Sequence, residues 1–417
     1  MHYGLVYTIL HNMLKKYHEF IPKSFVVLKH YTWGLLKKDF TAGITVGIVS
    51  LPLAMAFAMA SGVSPEKGLF TAIVAGFLIS LLSGSRVQIG GPTGAFVLVV
   101  YNIVERHGYD GLALATLIAG GLLIVMGVFK LGTLIKFVPH PLIIGFTTGI
   151  AVVVFSLQIK ELFGLHMEYV PVQFVDKWKA YYQAFPSFDT ITTCVGLGTV
   201  AFIFALRRWA PSIPWGVAGI IVATAVCAIF HLPVATVASR FGELPHSLPM
   251  PSFHFDYTRA LDVLPDAITI ALLAGIESLL SAVIADGLTG GRHKPNIELI
   301  GQGVANIGSV IFGGIPATAA IARTATNIKT GAQTPIAGMM SATVVLVLLW
   351  ACSNLVGGIP LVALSAILIA VAWQMSELPH FIKLTRTSKG DVAILVTSFL
   401  LTVLLDLTVA VEVGMLM

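Results

Sequence analysis

Glu277 and Arg323 are the two charges in this sequence whose surroundings make them chemically informative. Each sits among apolar and small residues in a stretch that reads as membrane-embedded, where an ionisable side chain is costly and marks a functional site by default. Glu277 lies near the centre of Ala267 to Ala285, a run otherwise free of charge, and shares it with Ser278 and Ser281. Arg323 follows shortly after the turn-forming run Gly313-Gly-Ile-Pro-Ala-Thr318. Its planar, permanently charged fork suits carboxylate, sulfate or carbonate oxygens better than a lysine does. A carboxyl whose neighbour is at times a substrate anion has a pKa that depends on occupancy, so Glu277 is expected to titrate or to hold a cation. The alternative is a Glu277–Arg323 pair that only ties two helices together.

Both positions belong to a doubled pattern. Ala42 to Gly62 (AGITVGIVSLPLAMAFAMASG) has a counterpart of equal length in Ala267 to Gly287 (AITIALLAGIESLLSAVIADG), which sets Glu277 opposite Pro52. From Gly62 it is about 30 residues to Pro92 in GGPTGAF, and from Gly287 about 29 to Pro316 in GGIPATA. After each Gly-Pro break comes a helical stretch too short to cross a bilayer, Thr93 to Val104 and Ala319 to Lys329, against the roughly 20 residues a crossing needs. Irregular backbone at membrane depth is tolerated only where protein or a polar cavity surrounds it, so the two breaks are expected to face each other. A half-helix starting there points free N–H groups and about half a unit of positive charge into the cavity. Thr93 and Gly94 begin one such end; Thr318, Ala319 and Ala320 begin the other, and Arg323 follows about one turn later. Phe57, with Leu53 and Phe96, is expected to form an apolar wall.

These features need a membrane scaffold, and the composition supplies it. Of 417 residues, 56% are hydrophobic and 11% charged, far from a soluble fold of this size. The net charge of +5 is spread over short loops without a basic stripe interleaved with aromatics, so no nucleic acid is implied. Cys194, Cys227 and Cys352 lack CxxC spacing and read as small buried hydrophobes. Residues 1–38 read as a cytosolic amphipathic segment, not a signal peptide: Lys15, Lys16, Lys23 and Lys29 interrupt any apolar core, among Tyr3, Tyr7, Tyr17, Phe20 and Trp33. Lys37 and Lys38 then precede the first span.

Apolar runs place spans near 40–60, 68–83, 93–104, 110–129, 137–158, 190–206 and 214–230, and again near 262–285, 297–312, 319–329, 335–353, 359–375, 390–405 and 407–417. An odd number per half makes the copies inverted. The domain reading is a first repeat over 39–230, an extracellular connection over 231–261 and a second repeat over 262–417. With a cytoplasmic N-terminus the inner segments hold roughly 17 Lys/Arg and the outer ones roughly 7, satisfying the positive-inside rule. The long loops, Lys160 to Asp189 and His231 to Asp262, carry no motif, and His231, His246 and His254 read as solvated. Gly145 and Gly149 form a lone GxxxG, weak evidence of helix packing. Asp406, at the turn joining the last two spans, and Glu412 are left outside the site.

At these residues the chain resembles the SulP (sulfate permease) anion transporters, whose animal relatives include prestin. The matching stretches are LPLAMAFAMASGVSPEKGLFTA, SGSRVQIGGPTGAFV, GIESLLSAVIADGLTGGRHKPNIELIGQG and GGIPATAAIARTATNIKTGAQTP. The similarity runs from about Asp39 to the C-terminus and is closest to bacterial bicarbonate or dicarboxylate carriers. It implies an all-α polytopic membrane protein of fourteen segments, two inverted repeats of seven, with core and gate domains and two half-helices meeting at mid-membrane. It also implies a homodimer in the bacterial inner membrane, an anion site on Thr93, Gly94, Ala319, Ala320 and Arg323, and Glu277 where sodium-coupled relatives place an aspartate. Those carriers are expected to show Asp and Thr at Glu277 and Ser281, and no arginine at Arg323, so coupling to protons or exchange is the expectation, with sodium at Glu277 and Ser281 as the alternative. Most relatives carry a cytosolic STAS domain after the last span, and this sequence stops at Met417.

The resulting expectation is a secondary active carrier of a small oxyanion: bicarbonate, a dicarboxylate or sulfate. A nucleobase–proton symporter on the same architecture is disfavoured by Arg323, and an anion channel or voltage-driven motor would use the same positive site. No nucleophile–base constellation, phosphate loop or metal-ligand cluster occurs, so neither an enzyme nor a cofactor is implied.

Overall fold

The computed structural model describes residues 18–29, 31–133, 139–167, 170–171, 173–211 and 213–404. The N-terminal tyrosines and Lys15 and Lys16, the expected last span 407–417, Asp406 and Glu412 lie outside these. The long helices are α1 (Trp33–Ala60), α2 (Pro65–Leu82), α3 (Gly94–Val128), α4 (His140–Leu157), α5 (Thr190–Trp209) and α6 (Trp215–Ile229). The second half adds α7 (Leu264–Thr289), α8 (Pro295–Ile311), α9 (Ile321–Lys329), α10 (Ile336–Gly357), α11 (Leu361–Met375) and α12 (Lys389–Leu404). Among the described residues, eight helical segments are long and apolar enough to cross a membrane. The order agrees with the sequence reading, and the fourteen-segment, two-repeat scheme is consistent with it.

Local chemistry sets the ends. The Asp189 carboxylate accepts the N–H groups of Ile191 and Thr192 to cap α5, and Gly290, in the left-handed region, closes α7. Helix α1 starts at Trp33, capped by the Thr32 hydroxyl, earlier than the expected 40. Lys37 and Lys38 are therefore part of it, and both are exposed. Helix α3 is two helices joined at Gly108 (φ 69°), so the first half-helix runs over residues 94–107.

The helices pack in two groups, each drawing on both halves of the chain. In one, α1 lies on α10, α3 and α2 lie on α8, and α7 lies on α3 and α9; in the other, α4 lies on α12, and α5 and α6 pack with α11. A Cβ at Gly43 would sit 2.6 Å from Met340 Cβ and one at Gly47 2.7 Å from Val344 Cβ, so glycine lets α1 and α10 approach closely. The pair Gly145 and Gly149 does the same for α4 against α12, meeting the Leu395 carbonyl and Thr402. At the end of α1 near its start, buried Asp39 accepts from Tyr31 Oη (3.1 Å), from the N–H groups of Gln333 (2.8 Å) and Thr334 (3.1 Å), and from the Thr334 hydroxyl. That carboxylate ties the first helix to the turn between α9 and α10.

Three further expectations change. The loop Lys160 to Asp189 contains a helix, Phe174–Ala184, with Val175, Trp178 and Tyr182 exposed on it. His246 is bonded to the Ser353 hydroxyl (2.7 Å), not merely solvated. Cys194 is exposed on α5, where the apolar surroundings of a span replace a protein core; Cys227 is buried as expected.

Candidate functional site

The two breaks meet. Gly90 and Gly91 form strand β1 (Gly90–Gly91), which pairs antiparallel with β2 (Thr318–Ala319), matching Gly90 to Ala319 and Gly91 to Thr318. The Ala320 N–H continues the pairing onto the Ile89 carbonyl at 2.9 Å. Extended backbone carries donors and acceptors that a helix would satisfy internally, and here each break satisfies the other. The starts of α3 and α9 are thereby fixed side by side.

Thr93 is the extended N-cap residue of α3, and its hydroxyl donates to Glu277 Oε2 of α7 at 3.0 Å instead of capping its own helix. Among the described residues the N–H groups of Gly94 and Ala95, and of Ile321 and Ala322, have no hydrogen-bond partner. The open donors of α9 thus begin at Ile321, since the Ala320 N–H is engaged with Ile89. Ala319 and Ala320 contribute small side chains and backbone position to the site.

Arg323 is only 4% exposed. Its Nη2 donates to the Pro92 carbonyl at 2.7 Å, which aims the guanidinium at the first break, while Nη1 is buried and has no hydrogen-bond partner among the described residues. A Cβ on Gly91 would lie 2.8 Å from Nη1, so glycine there makes room for the charge. Glu277 and Arg323 are near enough to interact electrostatically, yet form no ion pair among the described residues. Thr93 bonds the Glu277 carboxyl and the Pro92 carbonyl bonds Arg323.

A Cβ on Gly94 would sit 3.3 Å from Phe57 Cε1 and 2.7 Å from Met375 Sδ, which places Phe57 against the cap of α3 and brings in Met375 from α11. Leu53 and Phe96 are buried in the same apolar cluster. Ser281 is fully buried, and its hydroxyl lies 3.4 Å from Thr324 Oγ1, which in turn accepts the Ile89 N–H at 3.1 Å. The structure thus gathers Thr93, Gly94, Phe57, Glu277, Ala319, Ala320 and Arg323, and sets Ser281 one helical turn along, facing Thr324. Sequence reasoning missed Gln88, whose amide donates to the Ser278 carbonyl (2.7 Å), Thr324 and Met375. Thr324 was legible as the polar neighbour of Arg323; Met375 carried no signal.

Two half-helix starts paired through their extended breaks, with a buried arginine and a carboxyl beside them, lie within a polytopic helical membrane fold. Residues 36–398 match the Sulfate permease family, and the chain belongs to it. It is 41% identical over 391 residues to the "Putative sulfate transporter YvdB" of Bacillus subtilis, covering 93% of this chain and 74% of that protein. It is 30% identical over 414 residues to the "Sodium-independent sulfate anion transporter" of Bos taurus, covering 90% and 67%. The solved transmembrane domain of a cyanobacterial bicarbonate transporter, BicA, superposes with a TM-score of 0.82 at 29% identity, covering 91% of this chain and 98% of that one. The chain is an anion transporter, and this family's members are transporters, not enzymes.

Proposed function

We propose that the chain carries a small oxyanion (sulfate, bicarbonate or a dicarboxylate) across the bacterial inner membrane, coupled to protons or by exchange, with its N-terminus in the cytosol and as a homodimer. The two inverted repeats are residues 39–230 and 262–417, and the group containing α1, α3 and α9 moves as a core against the group containing α4, α5 and α11. The observation that carries the reading is Arg323 Nη1, buried and unpartnered beside two half-helix ends. An oxyanion there receives one charge-assisted bond from Arg323 and backbone bonds from Gly94, Ala95, Ile321 or Ala322. Phe57 and Met375 close the apolar side.

Glu277 supplies the coupling. An anion and an ionised carboxylate repel at close range, so anion and proton load together. Sodium coupling would draw on Glu277 and Ser281 jointly, but Ser281 faces Thr324 while Glu277 faces Thr93, which favours the proton or exchange reading.

Proteoliposomes tested with labelled sulfate, bicarbonate and fumarate, with and without a pH gradient, should take up one of them faster as the external pH falls. Glu277→Gln should still bind and exchange that anion but fail to concentrate it. Sodium-dependent uptake indifferent to pH, or full pH-driven accumulation by Glu277→Gln, overturns the coupling.

A further inference from the structure

Away from the central site, one turn gathers cations from three separate parts of the chain. Residues 83–86 follow α2. The Ser83 carbonyl accepts the Lys23 N–H and the Gly84 carbonyl accepts the Lys294 N–H, each at 3.1 Å, so Lys23 and Lys294 flank the turn from which exposed Arg86 projects. Buried Glu298 holds the turn from beneath, accepting the N–H groups of Gly84 (2.9 Å) and Ser85 (3.1 Å). A Cβ on Gly84 would lie 2.1 Å from the Lys294 carbonyl, so only glycine permits this approach. The Ser24 hydroxyl donates to the Leu81 carbonyl and Lys294 Nζ to the Ile21 carbonyl (3.0 Å), which fastens the N-terminal segment across the turn.

The charges feel one another. Desolvation, then Arg86, holds the Lys23 ammonium below its usual pKa against the opposing pull of Asp286; desolvation, then Lys23, does the same to Lys294 against Glu19. Both carboxylates are engaged elsewhere, Asp286 with His293 Nδ1 at 2.7 Å and Glu19 with Lys130 at 2.9 Å. Lys23 and Arg86 therefore stand beside acids that are already engaged. On the same segment Ile21, Phe25, Leu28 and Trp33 are exposed. Cations beside outward apolar side chains match a leaflet that offers acidic headgroups above acyl chains.

We propose that Lys23, Arg86 and Lys294 around the turn at residues 83–86 form a binding site for the phosphate headgroup of an acidic phospholipid, with Phe25, Leu28 and Trp33 in the adjoining acyl region. The choice of the cytosolic leaflet rests on the orientation proposed above; the site itself does not depend on which anion is carried. Arg86 opens the extended run that ends at Thr93, so a lipid held here braces the outer anchor of the first break.

Thermal unfolding of the purified chain in neutral detergent tests this, with dioctanoyl phosphatidylglycerol, dioctanoyl phosphatidylcholine or inorganic phosphate added. Phosphatidylglycerol should raise the Tm by several degrees and the other two should not. Lys23→Gln with Arg86→Gln should lose the shift, and so should Arg86→Gln alone, an exposed change that spares the fold. Lys383→Gln with Arg386→Gln, basic residues elsewhere, should keep it. An equal shift from phosphatidylcholine, a shift surviving in the Arg86 variants, or a shift lost equally in the Lys383/Arg386 variant overturns the site. Inorganic phosphate reproducing the shift would assign the turn to free anions and overturn the lipid.

Discussion

The first break takes its anchors from the opposite half of the chain, whereas the second is held largely by its own. Across residues 84–92 the Gly84 and Ser85 N–H groups go to Glu298, the Val87 carbonyl to Asn327, the Gln88 amide to the Ser278 carbonyl, the Ile89 N–H to Thr324 and the Pro92 carbonyl to Arg323. Across residues 314–318, Asn306 of neighbouring α8 both donates to the Ala317 carbonyl and accepts its N–H, each at 2.9 Å, Ser309 donates to the Ile315 carbonyl, and Thr318 donates to the Ala274 carbonyl. From the first half Thr71 and Tyr109 reach it, and Gly91 pairs with Thr318 across the two strands. Since Arg323, Thr324 and Asn327 all belong to α9, that short helix is bonded to the first break at three points. The two half-helix ends can then change environment together without changing their spacing, which a carrier needs if its site is to stay intact while access alternates.

The largest effect should come from the residue that joins both breaks. Arg323→Ala removes the charge that α9 directs at the first break together with the bond to Pro92, and the helix dipoles that remain supply about one unit of positive charge. Oxyanion affinity should fall by about 100-fold or more, on the order of 3 kcal/mol for a lost charge-assisted bond, with the helical fold retained. Calorimetry showing wild-type affinity in this variant would detach Arg323 from the site.

Next in size is a contrast between two glycines with positive φ. Gly91 (φ 140°) faces Arg323 Nη1 at 2.8 Å from a would-be Cβ, whereas Gly313 (φ 73°) has nothing nearer than 3.6 Å. Gly91→Ala therefore meets both backbone strain and the guanidinium, and Gly313→Ala meets strain alone, about 1–2 kcal/mol. Gly91→Ala should weaken binding at least tenfold while Gly313→Ala changes mainly the Tm. Equal losses of affinity would mean that the breaks are equivalent after all. The self-anchoring of the second break predicts a third contrast: Asn306→Ala strands both the Ala317 N–H and carbonyl and should cost about 2–4 kcal/mol of stability, against about 1–2 for Asn327→Ala, which frees the Val87 carbonyl. Chemical denaturation ranks the pair.

Much of the site could be read in the sequence because its elements break local rules. A carboxylate and an arginine among apolar residues, and helices too short to span, stand out without any partner being known, and the structure brings Glu277, Arg323, Thr93 and Gly94 together. The residues that hold this arrangement were not legible. Glu298 and Asp39 lie at span ends, where a charge looks like ordinary interfacial chemistry, and their partners stand 213 and 214 residues away in one case and 294 and 295 in the other. Spacing along a chain carries no information about such contacts. The helix Phe174–Ala184 is different: Val175, Trp178 and Tyr182 recur at helical spacing, and only the expectation of a plain loop hid it.

The smallest predicted effect bears on what the second half contributes beyond Arg323. Ser281 lies one turn from Glu277 on α7, the spacing that would let both hold a cation, yet its hydroxyl points to Thr324 at a long 3.4 Å. Thr324 Oγ1 also accepts the Ile89 N–H at 3.1 Å, so it stays satisfied as an acceptor when Ser281 is gone. Ser281→Ala therefore removes one weak contact and leaves no stranded donor or acceptor, a cost of about 0.5 kcal/mol, roughly a factor of two. Uptake by this variant should remain within about threefold of wild type, with the same response to external pH and none to sodium. If Ser281→Ala instead abolished accumulation, or if sodium accelerated wild-type uptake and not that of the variant, Ser281 and Glu277 would together form a cation site. The second half would then contribute the coupling ion as well as the arginine, and the asymmetry between the breaks would extend from their anchoring to the chemistry they perform.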